Sequence, residues 1–394
     1  MSPSNVLIAG GGTMGLVQAL ALGRAGVDVT ILDPGHEPPT MSRALVLDWS
    51  MMDGLHELGL LDDMVAMGLV QTSWSLHVLR TGETLTFDLT SLAEDVERPF
   101  NLTVSTERMV ALLLARVEEL PNVRIEWRSS ITGIEQDDDG CTVTAHGPDG
   151  PRDYRCGWIV GADGLRSQVR RLMGQGFPGM TWPERFVVVN LRFDFASTGV
   201  DQAASHIDPH RGALIAQIDG TGLWQYLYAE NERLPEATLE ERMRSRFADA
   251  LPEGAEPHIE SWSSGRMHQR FVDSFRRGRV ILVGDAAHVT APTSGYAAAA
   301  AFFDVLAASE VLAAMAHGEG DASALERYAV DRRRVFTEIA GPVASETKTL
   351  VFDGLAPHQI ELELRRYRAA CSSRQETRDF LLHARELRSP SLVG

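Results

Sequence analysis

Residues Gly278 to Asp304 read GRVILVGDAAHVTAPTSGYAAAAAFFD. Val280 to Val283 is a short apolar run rich in β-branched side chains, which predicts a buried strand. Gly284-Asp285 ends it. A loop with Pro292 and Gly295 follows, and then the alanines Ala297 to Ala301. Alanine is the strongest helix former, so a helix begins near there. The Asp285 carboxylate can hold a polyol by hydrogen bonds. The free N–H groups of the first helical turn, around Ala298 and Ala299, can face an electron-rich group. An ordinary strand and helix would leave two further motifs unexplained.

The first of these opens the chain. Val6 to Ala9 predicts a strand, and Gly10-Gly11-Gly12-Thr13-Met14-Gly15 gives G-x-G-x-x-G spacing at Gly10, Gly12 and Gly15. Leu16 to Ala25 predicts a helix and Val27 to Leu32 a second strand, closed by Asp33. Gly10 makes the tight turn, Gly12 lets backbone approach a pyrophosphate, and Gly15 lets helix pack on strand. The helix dipole favours the anion. Asp33 can take ribose hydroxyls. The second further motif, Trp158-Ile159-Val160-Gly161-Ala162-Asp163-Gly164, is another strand ending in a carboxylate, followed by Arg166, Ser167 and Arg170. Two arginines about a helical turn apart could accept a phosphate-bearing donor.

In this order, the three motifs resemble those of the FAD-dependent aromatic hydroxylases. That is the p-hydroxybenzoate hydroxylase-like group, or group A flavoprotein monooxygenases. Gly284, Asp285, Ala286, Ala287, His288, Pro292, Gly295 and Asp304 match the group's second flavin motif. Ala297, Ala299 and Ala301 stand where the group usually has glycine, asparagine and glycine. Met267 to Gly278 resembles the return segment of the aromatic polyketide hydroxylases. The resemblance, with the N-terminal position of the first motif, selects FAD over NAD as the resident dinucleotide.

The resemblance implies FAD contacts at Gly10, Gly12, Met14, Gly15, Asp33, Arg43, Thr106, Asp163, Gly164, Asp285, Gly295, Ala297, Ala298 and Ala299. Thr106 takes the place of the group's arginine or glutamine. The implied reaction is hydroxylation of a small phenolic or polyketide-like aromatic, as in secondary metabolism. FAD is reduced by NADH or NADPH as a transient co-substrate, and oxygen reaches the ring through a flavin C4a-hydroperoxide. Pro292 and Tyr296 lie in the loop expected beside the reacting ring. No metal and no general base is assigned, and His288 is read as packing. Two alternatives stand beside this one. One is a redox-degenerate relative that binds an intermediate or partner, suggested by the three alanines. The other is a different flavoenzyme of the same fold, a halogenase or reductase.

Between the motifs the pattern changes. Ser73 to Leu79 with Thr84 to Leu89, and Phe186 to Trp262, predict antiparallel strands. Alternation puts Trp224, Tyr226 and Tyr228 on one face of a strand and Leu223, Gln225 and Leu227 on the other. Gln217, Trp224, Tyr226 and Pro292 are the expected substrate-pocket residues, with packing on a helix the alternative for the aromatic face. Leu45 to Leu58 and Ala344 to Leu387 are expected helical. Arg332-Arg333-Arg334 is expected to be a solvated face.

The expected architecture is α/β: a Rossmann-like FAD-binding domain (1–70, 100–182, 267–342), an inserted antiparallel-sheet substrate domain (71–99, 183–266), and a C-terminal helical segment (343–394). Net charge is -17, from 37 basic and 54 acidic side chains. That argues against nucleic acid or an anionic membrane as partner. Cys141, Cys156 and Cys371 form no metal or disulfide pattern, consistent with a reducing, cytoplasmic setting. A monomer or homodimer is expected.

Overall fold

The computed structural model describes residues 4–37 and 44–393. Its centre is a six-stranded sheet in the order Arg276–Arg277, Val280–Leu282, Trp158–Gly161, Val6–Ala9, Val29–Leu32, Val123–Glu126. All neighbours are parallel except the Arg276–Arg277 edge. Parallel strands covered on both sides need apolar side chains throughout. Val6–Ala9, Val29–Leu32 and Trp158–Gly161 are accordingly buried at every position. The helices Thr13–Arg24, Thr106–Glu118 and Tyr296–Ala316 pack together beside this sheet. Tyr296–Ala316 is long and apolar enough to cross a membrane by composition, but 67% of its most apolar window is buried in the core.

The second large sheet has eight strands. Their order is His288–Val289, His258–Phe271, Gly179–Arg192, Leu223–Asn231, Ala213–Gln217, Ala203–Ile207, Ser73–Val78, Glu83–Asp88. His258–Phe271 runs without a break past residue 267, so the boundary expected between 266 and 267 falls inside one strand of this sheet. Two smaller sheets complete the β structure. One joins Gly150–Cys156, Gly140–Gly147 and Ser130–Asp137; the other joins Ala44–Leu47, Asn101–Ser105 and Leu69–Gln71.

Helix was expected from Leu45 to Leu58, but Ala44–Leu47 is a strand paired antiparallel with Asn101–Ser105. Its Leu-Val-Leu run is equally at home in a strand, and a partner strand decided between the two. The helix there is only Met52–Glu57, entered through a turn that Asp48 caps by accepting from Ser50 N at 3.0 Å. The C-terminal stretch is broken into Gly341–Phe352, Pro357–Ala370 and Arg374–Leu382.

Arg332 corrects the solvated-face expectation. It is fully buried. Its Nε donates to Asp304 Oδ1 at 2.8 Å, and its other nitrogens donate to Leu387 O (2.8 Å), Ala300 O (3.1 Å) and Ser389 Oγ (3.0 Å). A buried guanidinium is tolerated because each of its three nitrogens finds an oxygen acceptor.

Candidate active site

The parallel sheet aligns four strand ends on one side. Ala9 is in register with Leu32 on one side and Gly161 on the other, and Gly161 with Leu282. The residues just past these strand ends are Asp33, Gly10, Asp163 and Asp285. They therefore open along one cleft.

The glycines fit that cleft for separate reasons. Gly10 has φ +104°, and a Cβ there would lie 2.6 Å from Ala162 O. At Gly15 a Cβ would lie 1.9 Å from Gly10 O, so helix and strand touch backbone to backbone. A Cβ at Gly12 would meet nothing within 4 Å. Gly12 also starts the Thr13–Arg24 helix, with no side-chain cap on its N–H groups. An anion can therefore reach those donors directly.

Asp33 accepts from Gly11 N at 2.6 Å and Gly35 N at 2.7 Å, which fixes its carboxylate beside the turn. Asp163 Oδ2 accepts from Gln168 N (2.6 Å) and Val169 N (3.0 Å), while Oδ1 is buried and without a partner. A buried carboxylate oxygen left unpaired calls for a hydroxyl donor, and Gly164 leaves room beside it. Asp285 is exposed to the cleft, yet the surrounding protein raises its pKa. Both observations describe a carboxylate on a concave surface, accessible but poorly solvated.

Asp304 holds this turn in place. It is fully buried, and its Oδ2 accepts from Gly284 N at 3.0 Å and lies 2.7 Å from His288 Nε2. Burial raises its pKa, but His288 and Arg332 outweigh that and hold it below the usual carboxylate range. His288 itself is sandwiched between Phe275 and Phe336. It faces Asp304 rather than the cleft, as its reading as packing requires.

The Tyr296–Ala316 helix begins at Gly295 in the left-handed region, φ +76°. Ala297 and Ala298 are half-buried, and their N–H groups bond to no backbone acceptor among the described residues. Ala299 differs from expectation: its N–H already donates to Gly295 O at 3.2 Å, and its methyl is fully buried. The open donors are thus at 297 and 298. Ala301 packs its methyl 3.2 Å from where a Cβ on Gly284 would lie, filling space that Gly284 leaves. Met14 Cγ lies 3.6 Å from that same position. Thr106 stands half-buried at the start of the Thr106–Glu118 helix, next to Ser105, which pairs with Ala44. Arg43 lies outside the described residues.

The antiparallel sheet overrides the expected pocket face. Trp224, Tyr226 and Tyr228 are buried against Phe195 and the Leu239–Ala250 helix, with Tyr226 and Phe247 rings 5.2 Å apart. Gln217 pairs with Trp224 and lies on that same outer side. Both border a depression of ≈ 760 Å³ with Arg192, Asp194, Gln202 and Thr221. None of the residues of the three carboxylate turns line it, and it lies on the face of the sheet opposite Leu227, so it is not the site those turns form. Tryptophan and tyrosine gave the wrong signal because an aromatic stripe suits a helix as well as a ligand.

The opposite face meets the site. Leu227 clusters with Phe186, Met267 and Ala291, the residue before Pro292. Around it Val188, Leu214, Ala216 and Gln225 stay half-buried, and Pro292 is exposed. Tyr296 is half-buried; burial and then the Asp48 charge raise its pKa. Asp48 was not among the expected site residues, and burial raises its pKa too. Of the two arginines expected to meet a phosphate, Arg170 instead donates to Ala286 O (2.8 Å) and Leu165 O (2.7 Å), and only Arg166 is exposed.

A dinucleotide with a flavin end fits these features: an open pyrophosphate turn, carboxylates for two polyol segments, and a dipole end with free N–H groups. Comparison with known proteins agrees. The sequence matches the FAD binding domain family over residues 3–341. It is 36% identical to 6-hydroxy-3-succinoylpyridine 3-monooxygenase of Pseudomonas putida, over 86% of this chain and 87% of that protein. It is 32% identical to para-nitrophenol 4-monooxygenase of a Pseudomonas species, over 98% and 97%. The crystal structure of p-nitrophenol 4-monooxygenase from Pseudomonas putida superposes with a TM-score of 0.92 at 33% identity, covering 98% of each chain. The protein is a FAD-dependent monooxygenase. It belongs to the FAD binding domain family, among the aromatic hydroxylases.

Proposed function

We propose that the protein hydroxylates a small phenolic or hydroxylated heteroaromatic ring, using O2 and NADH or NADPH. The observation that carries this reading is the packing of Leu227 against Ala291, which sets one face of the antiparallel sheet against the Pro292 loop that leads into the Tyr296–Ala316 helix. On this reading the helix start at Ala297 and Ala298, that loop and the Leu227 face would border one substrate space. Bound FAD supplies reducing equivalents and oxygen transfer. The chain's own residues supply position and charge. The Ala297 and Ala298 N–H groups would face the flavin and could hold negative charge on it without reorganising. Asp33, Asp163 and Asp285 accept from sugar and ribityl hydroxyls. Val188, Leu214 and Leu227 keep water from the ring, and Gln225 offers the amide that can orient its polar substituent.

Tyr296 stays protonated near neutral pH, because its raised pKa disfavours the phenolate. It therefore serves as a donor to the substrate oxygen rather than as its base. The nitrophenol and hydroxypyridine substrates named for the two relatives fit an apolar slot with a polar end. Arg166, exposed beside Asp163, suits the phosphates of a visiting NAD(P)H. We place the enzyme in the cytoplasm as a monomer or homodimer. Ala299 and Ala301 fill core space, so they are packing substitutions and do not favour a redox-inactive reading. The test is direct: full-chain protein with FAD, and NADH or NADPH, is mixed with a panel of phenols including p-nitrophenol. Substrate-stimulated oxidation at 340 nm with oxygen uptake and a hydroxylated product is expected. No stimulation by any phenol or hydroxypyridine would overturn the assignment.

A further inference from the structure

The same side of the sheet carries a fifth strand end. Leu32 is in register with Glu126, so Asp33 and Trp127 emerge side by side. A Cβ on Gly11 would lie 2.8 and 2.9 Å from Trp127 Cζ3 and Cη2 and 3.4 Å from the Asp33 Cβ. The benzo edge of the indole therefore rests on the glycine turn, beside the carboxylate expected to hold a ribose. The ring is half-buried.

The backbone around it is held under strain. Arg128 has φ +57° and is the one non-glycine residue with positive φ among the described residues. Two backbone hydrogen bonds lock the segment to the Asp33 loop: Arg128 N to Gly35 O and Ser129 N to Asp33 O, each 2.8 Å. Strained conformations of this kind persist where the surroundings over-determine them, and they gather at ligand clamps. Here the left-handed residue turns the chain immediately after Trp127, which leaves the indole over Gly11 rather than continuing the strand. Among the described residues no hydrogen bond from the indole explains that placement.

We infer that Trp127 is the wall of the adenosine subsite, with the purine packed on the free part of the indole. The inference rests on the cofactor alone and is independent of the substrate. Its test compares dinucleotide with mononucleotide. The full chain is stripped of flavin and titrated with FAD and with FMN, which lacks the adenosine half. Binding is followed by quenching of flavin fluorescence. Trp127→Phe keeps a ring and is expected to bind FAD within about twofold of the parent. Trp127→Leu keeps bulk but no π face, and is expected to weaken FAD about tenfold. FMN affinity is expected to stay unchanged in both. Equal FAD binding by the Leu and Phe variants would overturn the assignment. So would a parallel loss of FMN affinity, because the indole would then act only in folding. Thermal melts of the stripped variants identify any that fail to fold; Trp127→Met, a second apolar side chain without a π face, then replaces the Leu variant with the same loss of about tenfold expected.

Discussion

At the residue scale, alanines at 297, 299 and 301 replace a familiar glycine–asparagine–glycine pattern, but they are not equivalent. Ala297 is half-buried, whereas Ala299 is fully buried and Ala301 leans on Gly284. Restoring asparagine at 299 would bury an amide with no partner built for it. Ala299→Asn is expected to destabilise the chain by about 1–3 kcal/mol in urea unfolding. The Asp33, Asp163 and Asp285 turns were legible as sequence because each carboxylate directly follows a strand, and in-register strands bring such ends together. The exclusion of Ala299 N–H was not legible, since it depends on where the helix takes its first hydrogen bond. Arg43 remains an expectation from the resemblance.

At the scale of elements, the decisive case is the strand Leu223–Asn231. Period-two alternation gave its two faces correctly but carries no sign for which is inward. The Leu239–Ala250 helix settles it by covering Trp224, Tyr226 and Tyr228. Tyr226→Phe is therefore expected to leave kcat/KM within about twofold. Leu227→Trp, on the opposite face, is expected to raise KM for the phenol at least about tenfold by filling the slot. Steady-state kinetics on the two variants separate the faces. The Arg332 run failed for a related reason: three consecutive arginines spread around a helix, and the one facing inward finds Asp304 and carbonyls. Arg332→Met leaves Asp304 without its cation. It is expected to cost about 3–5 kcal/mol of unfolding free energy, measured by denaturant titration, with the Gly284–Asp285 turn loosened.

Across the whole molecule, two layers share one cleft: a parallel sheet that gathers chain turns and an antiparallel sheet that roofs them. The back of the second sheet sets an acid limit on stability. His206 is depressed to about 4, by burial first and then by the neighbouring His77. The unfolded chain takes up that proton near the ordinary value of 6.5, the folded chain only near 4. Stability is thus unaffected above 6.5 and falls as pH drops from 6.5 towards 4. His206→Gln is expected to flatten this part of the stability profile by an amount on the order of 2 kcal/mol, read from urea midpoints at pH 7 and 4.5. The central claim is that separated turns serve one FAD, and flavin titration of the stripped full chain tests it most directly. The account predicts one FAD per chain, and a weakening of that same site by Asp33→Ala, Asp163→Ala and Asp285→Ala taken singly. A chain that binds no FAD, or binds it unchanged in all three variants, would contradict it.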